Sequence, residues 1–236
     1  MSGPVMTGPA KPRRRRRSVV VETVLIVAVS LVVAAAIRAF VAQAFYIPSG
    51  SMENTLLEGD RILVSKVSLW FGDVNRGDVV VFEDPGGWLN EPRLATTNPV
   101  RRVLEFVGVA PSSTEGDLVK RVIGVAGDRV QCCDKKGRVT VNGKPLDEPY
   151  LYPGDSPSDC PEGTCRFDVT VPGGSLWVMG DHRSVSGDSR VQPKATQFVP
   201  ESDVVGKAVA VFWPLDRLAW LSTPETFSDR LNRSSG

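Results

Sequence analysis

A long apolar run directly behind a block of arginines constrains this chain more than any other feature. Val19 to Ile37 is interrupted only by Glu22, Thr23 and Ser30, and Arg13 to Arg17 stand just before it. As a helix, such a run rises about 28 Å, close to the roughly 30 Å hydrocarbon core of a bilayer. It has no polar stripe at the helical period, which a helix packed on a soluble core would show. It continues past Arg38 through Ala39-Phe40-Val41, and Arg38 is long enough to snorkel. Residues 19–41 therefore read as a transmembrane helix. The preference of basic flanks for the inner side places residues 1–18 in the cytoplasm as a basic tail. Residues 42–221 then form an extracytoplasmic domain, and 222–236 a polar, flexible tail. No second run of spanning length follows, so the chain reads as single-pass. The same stretch admits two other readings. An arginine block alone also suits a nuclear or nucleic-acid patch. Ala42-Gln43-Ala44 has the small-x-small form of a secretory cleavage site, although the run exceeds the about 7–15 residues of a signal core.

The charge balance of 28 basic against 27 acidic residues depends on that N-terminus. Lys11 and Arg13 to Arg17 supply six of the cations; without them 22 basic residues face 27 acidic ones. The body lacks the basic face that phosphate neutralisation needs, so no nucleic-acid partner is expected. With 42% hydrophobic and 23% charged residues, the chain is neither collagen-like, nor low-complexity, nor a multi-span transporter.

The body reads as mainly β. Short β-branched runs alternate with Gly, Pro, Asp and Asn clusters at 61–67, 78–82, 119–125, 129–132, 138–141, 168–171, 175–179 and 204–213. Asn142-Gly143 carries a hairpin signal. A mostly antiparallel, barrel-like domain follows, with 84–118 and 150–166 as loops or insertions. Cys132, Cys133, Cys160 and Cys165 suit an oxidising compartment and allow three pairings. Cys160–Cys165, around Pro-Glu-Gly-Thr, is the favoured bridge, contributing roughly 2 kcal/mol on the chain-entropy model. Their spacing does not suit zinc, and the only histidine, His182, is distant in sequence, so no metal is expected.

Three stretches carry possible chemistry. Tyr46-Ile47-Pro48-Ser49-Gly50-Ser51-Met52 sets two serines around a glycine, with Ser51 a candidate nucleophile and Ser49 a candidate hydroxyl donor; it also reads as a plain linker turn. Val119 to Asp128 contains adjacent Lys120 and Arg121, which strand alternation sends to opposite faces, so one of them must face inward or toward a cleft. A buried lysine whose pKa falls toward neutral can act as a general base; an edge-strand lysine is the structural alternative. Trp177 to Arg190 runs from an apolar strand into a dense polar loop, either a solvated loop or a support for a reacting group. His182 invites a Ser-His-Asp triad, but the sequence has no G-x-S-x-G elbow and the histidine is not favoured as the base.

In this order and behind this anchor, the three stretches resemble the boxes of bacterial type I signal peptidases (leader peptidases). Pro48 to Met52 with Thr55-Leu56 is similar to the family's nucleophile box. Lys120 to Gly124 with Gly127-Asp128 is similar to its lysine box, and Met179 to Asp181 through Ser186 to Arg190 to its C-terminal box. Gly77 to Phe82 matches a further strand. The resemblance runs from the basic tail to about Trp213. It implies a membrane-bound Ser/Lys serine endopeptidase that removes signal peptides from exported preproteins, with no cofactor. It implies Ser51 as nucleophile, Lys120 as general base, and an oxyanion hole from the Ser51 N–H and the Ser49 hydroxyl. Ser186 would orient Lys120. Asp188, with Arg190 and Arg121, would brace the site, and Asp181 would belong to the same loop. Ile47, Met52, Leu56, Leu118 and Val119 match positions near shallow pockets for small side chains at the first and third positions before the cut. The chain departs from the family at Asn54, where many relatives have Pro, and at His182, Ser184 and Val185, where an Asn-Arg-Asp-Asn run is common.

Overall fold

The computed structural model describes residues 16–67, 72, 74–89 and 116–227. The basic tail through residue 15, most of the 84–118 segment and the last part of the C-terminal tail lie outside the described residues. Helix α1 spans Arg16–Phe40. None of its Val19–Ile37 window is buried against the body, and the Thr23 hydroxyl donates back to the Val19 carbonyl at 2.9 Å. An apolar helix whose Thr23 hydroxyl is satisfied internally fits a membrane anchor.

The body is built from antiparallel strands. In chain order they are β1 (Ala42–Tyr46), β2 (Arg61–Ser65), β3 (Val79–Glu83), β4 (Asp117–Gly124), β5 (Arg129–Cys132), β6 (Val139–Val141), β7 (Lys144–Pro145), β8 (Asp159–Cys160), β9 (Gly163–Thr164), β10 (Phe167–Thr170), β11 (Ser175–Met179), β12 (Val199–Pro200), β13 (Val204–Trp213) and β14 (Ala219–Trp220). The larger sheet runs β1-β2-β13-β3-β4-β11-β12, with β14 added to β13. The smaller sheet runs β10-β5-β6-β7, and β8 and β9 form a separate hairpin. The ten-residue β13 largely alternates buried and half-exposed positions and changes register three times, twice against β2 and once against β3. Such irregularities increase strand twist and let one sheet curl. Asn142 (φ 52°) and Gly143 (φ 75°) both take the left-handed conformation that a tight two-residue hairpin requires between β6 and β7.

Three apolar clusters fill the body. One gathers Trp177, Val130, Tyr150 and Phe227; one gathers Phe45, Met52, Leu56 and Ile62; one gathers Val80, Phe82, Trp88 and Leu176. Phe227 changes the expected tail boundary. It is fully buried and stacks on Tyr150 at 6.0 Å, so the packed body extends past Leu221. Leu118 and Asp117, expected in an insertion, begin β4, because their backbones pair with Phe82 and Glu83. The 150–166 segment contains the β8–β9 hairpin, closed by a Cys160–Cys165 bond; Cys132 is bonded to Cys133. Ala44, in the small-x-small stretch, lies mid-strand in β1 opposite Leu63, so a cut there would sever an element of the main sheet.

Candidate active site

The chain enters the site from β1. Ile47 is buried, donates its N–H to Asp60 O at 2.9 Å and accepts from Gly59 N at 2.9 Å. Pro48 fixes the next backbone angle. Ser49 is extended and exposed, and its side chain makes no capping bond to the turn that follows. That turn, Gly50–Met52, is a single 3₁₀ turn pinned by Met52, which is buried in the cluster below. Ser51, between Gly50 and the buried Met52, faces β4.

Strand β4 lies between β3 and β11, and its last five residues are all buried. Both adjacent cations are therefore inside, where alternation alone asked for one: Lys120 is 3% exposed and Arg121 2%. The Lys120 Nζ reaches the Ser51 Oγ at 2.7 Å and donates to the Val119 carbonyl at 3.0 Å. Among the described residues no carboxylate forms an ion pair with it. Burial is the main force on its pKa, which falls from 10.5 to about 8; Asp188 and Asp181 oppose that fall, and Arg190 adds to it.

Arg121 is handled differently. Its Nε and Nη2 clasp the Asp181 carboxylate at 2.8 and 2.6 Å, its Nη1 donates to Gly77 O at 2.9 Å, and its Nη2 reaches Thr55 Oγ1 at 3.1 Å. The guanidinium sits 4.2 Å over the Tyr150 ring. The expected brace of Asp188, Arg190 and Arg121 is thus two separate pairs. Arg121 serves Asp181. Arg190 clasps Asp188 at 2.7 and 2.8 Å. The Asp188 pKa is lowered: burial raises it, and this is outweighed by the Arg190 charge and hydrogen bonds, the Gly180 N–H at 2.9 Å and the Ser186 hydroxyl.

Ser186 was expected to orient the Lys120 ammonium. It is fully buried and makes no hydrogen bond to Lys120; its hydroxyl leans toward the Asp188 carboxylate without forming a well-aligned bond. Its hydroxyl instead packs where a side chain at Gly180 would stand, and a Cβ there would also come within 2.5 Å of the Ser51 carbonyl. Gly180 therefore lets the polar loop press against the nucleophile turn. His182 bonds that turn through its backbone, N–H to Ser51 O at 3.2 Å. Its imidazole turns away from Ser51, toward Glu53 and Tyr152.

The five residues expected near shallow pockets divide between two clusters. Ile47, Met52 and Leu56 are buried in one cluster, against which the half-buried Val119 packs; Leu118 packs on the cluster across β4. Among the described residues, no group of three or more His, Cys, Asp or Glu side chains is placed to hold a metal.

The sequence reading assigns no supporting role to four residues that the structure places in one. Arg183 is fully buried and ties Gly180 O (2.9 Å) and Pro157 O (3.0 Å) to the Glu148 carboxylate. Thr55 donates to Asp181. Asn54, at φ 83°, donates its amide to Tyr150 O and Leu151 O at 3.1 and 3.0 Å. Arg183 could have been suspected from its place in the polar loop, but Glu148 sits in a stretch without a motif.

Residues 20–213 match the family model described as "Signal peptidase, peptidase S26". The chain is 40% identical to a signal peptidase I of Mycobacterium tuberculosis, over 88% of this chain and 77% of that protein. It is 39% identical to a probable signal peptidase I of Mycobacterium leprae, over 89% and 81%. It is 36% identical to the signal peptidase I of Leptolyngbya laminosa, over 93% and 92%. A crystal structure of a signal peptidase I from Enterococcus faecalis aligns with a TM-score of 0.36 at 22% identity, covering 57% of this chain and 96% of that one. With a family match from within α1 to the end of β13, and relatives at this identity over most of their length, the chain belongs to the signal peptidase family of hydrolases, peptidase S26.

Proposed function

We propose that this protein is a membrane-bound serine endopeptidase that cuts signal peptides from exported preproteins after small-x-small motifs, with Ser51 as nucleophile and Lys120 as general base. The observation that carries the reading is the 2.7 Å contact between the buried Lys120 Nζ and the half-buried Ser51 Oγ. The neutral amine takes the Ser51 proton as Oγ attacks the scissile carbonyl. The oxyanion forms where the Ser51 N–H and the Ser49 hydroxyl can donate to it. The resulting ammonium protonates the leaving amine, an ester to Ser51 remains, and Lys120 then activates the water that hydrolyses it. The bond to Val119 O keeps the amine aimed, and burial supplies the neutral fraction. The Arg121–Asp181 and Arg190–Asp188 pairs act as support for the loop over the turn.

The reading places residues 19–41 in the plasma membrane, the basic tail in the cytoplasm and the body outside it. Exposed apolar side chains on α1 support this, as do Trp213, Leu215, Leu218 and Trp220 on the β13–β14 connection. The test is cleavage of a preprotein with a small-x-small junction by the full chain in detergent, with the new N-terminus sequenced. The parent is expected to cut at the junction, and Ser51→Ala and Lys120→Ala to lose at least about a thousandfold, as removal of a nucleophile or base does elsewhere. Equal cleavage by all three would place the chemistry on another group.

A further inference from the structure

We propose that Glu53, His182 and Tyr152 form a clamp that holds the peptide unit carrying the Ser51 N–H, making Glu53 and His182 positioning residues for the oxyanion donor. The proposal rests on the reading of Ser51 as nucleophile and extends it to residues outside the expected site.

The path is continuous. The Glu53 carboxylate lies over Gly50: a Cβ built on that glycine would stand 2.9 Å from Glu53 Cδ and 3.0 Å from one of its oxygens. The Glu53 N–H closes the same turn onto Gly50 O at 3.0 Å. The other carboxylate oxygen lies 2.9 Å from His182 Nδ1. The imidazole stacks on Tyr152, with ring centroids 3.8 Å apart and planes 16° apart, and the Tyr152 N–H donates to the neighbouring Asp181 O at 3.0 Å. His182 meanwhile donates its backbone N–H to Ser51 O. Residue 182 therefore grips the nucleophile turn twice, once at the Ser51 carbonyl and once through Glu53 over Gly50.

The peptide between Gly50 and Ser51 carries the proposed oxyanion donor, and a glycine peptide is the freest in the chain to rotate. A donor aimed in advance costs no reorganisation when charge develops. The clamp supplies that aim from outside the turn. The carboxylate also brings negative charge near the place where an oxyanion would form, and the imidazole bonded to it draws that charge away. This gives a signature that a packing role lacks. Removing His182 leaves Glu53 unattended, which harms the transition state more than removing both residues does.

The experiment measures kcat and KM for preprotein cleavage by the full chain in detergent. The variants are Glu53→Ala, Glu53→Gln, His182→Ala and the double Glu53→Ala/His182→Ala, with thermal unfolding of each and Ser51→Ala as blank. Aiming one donor is a fraction of the hundredfold or more that a whole donor is worth, so His182→Ala is expected to lower kcat about tenfold with KM within about twofold. Glu53→Ala should fall less, Glu53→Gln should stay within about twofold of the parent because its amide oxygen still accepts from the ring, and the double variant should exceed His182→Ala. Unchanged kcat in folded His182→Ala and Glu53→Ala, losses that add in the double variant, or Glu53→Gln as poor as Glu53→Ala would each overturn the clamp. A parent indistinguishable from Ser51→Ala would instead overturn the nucleophile assignment, and the clamp with it.

Discussion

Lys120 and Arg121 are neighbours on β4, both buried, and the two faces of the strand treat them in opposite ways. On one face Arg121 meets a carboxylate, a backbone carbonyl, a hydroxyl and an aromatic ring, so its charge is fully answered. On the other Lys120 meets, among the described residues, a hydroxyl and a carbonyl and no carboxylate in contact, and its pKa drops to about 8. Burial penalises charge on both sides; the difference is whether a carboxylate is placed in contact. Asp181 and Asp188 lie near enough to pull the Lys120 pKa upward, but each is already clasped by an arginine. The arginines therefore keep carboxylates away from the lysine as well as holding the loop. The fold builds a stable ion pair and a titratable amine from adjacent residues by partner placement alone.

The contrast can be broken on its paired face first. Arg121→Met leaves the Asp181 carboxylate buried without its cation, and truncating one partner of such a pair costs about 3–5 kcal/mol. Chemical unfolding of this variant against the parent should show that loss, and a shift under 1 kcal/mol would mean the pair contributes little.

The unpaired face predicts the reverse sign. The folded-state pKa of Lys120 lies below its unfolded value of 10.5. Between about pH 8 and pH 10.5 the unfolded chain holds the extra proton, so stability rises with pH across that window; below it the cost of the buried charge is fully present. Lys120→Met should therefore be more stable than the parent at pH 7, by at most about 3 kcal/mol for a shift of this size. The advantage should fade as pH climbs past the window. A variant less stable at every pH would contradict the account of Lys120 as a burial-depressed amine.

The third expected effect is kinetic. If the neutral amine is the base, kcat/KM should fall about tenfold per pH unit below about 8 and level off above it. A profile flat from pH 9 to pH 5 would exclude Lys120 from that step.

Legibility in the sequence follows the range of each interaction. Strands β5, β11 and β13 carry local signals, namely β-branched runs closed by Gly, Pro or Asp, and were readable to the residue. Strand β1 was hidden because Ala42 to Tyr46 continues an apolar run, and only its register against β2 makes it a strand. Two-residue strands such as β12 and β14 depend wholly on their neighbours. The approach of Ser51 to Lys120 bridges 69 positions and was visible only through family resemblance. Alternation along β4 separated Lys120 from Arg121 correctly, but a central strand has no outside, so neither reached solvent. The pairing of Arg121 with Asp181 rather than Asp188, and the turning of Ser186 toward Asp188 rather than Lys120, depend on how the loop folds back, which no spacing encodes.

The short path from α1 to the nucleophile has a consequence for how the reaction must be counted. Only residues 41–50 separate Phe40 from Ser51, and half of them are locked into β1. Fully extended, that stretch reaches at most about 35 Å, and the strand shortens it. With the helix seated in a bilayer as proposed, Ser51 never leaves a thin layer beside the lipid. An exported chain held by its own apolar segment is confined to the same layer. Their encounters are then set by lateral diffusion and by molecules per unit area, and the volume of the surrounding fluid drops out. In detergent, turnover at fixed protein should accordingly decline as empty micelles are added and stay constant when buffer alone changes the volume at a fixed micelle-to-protein ratio.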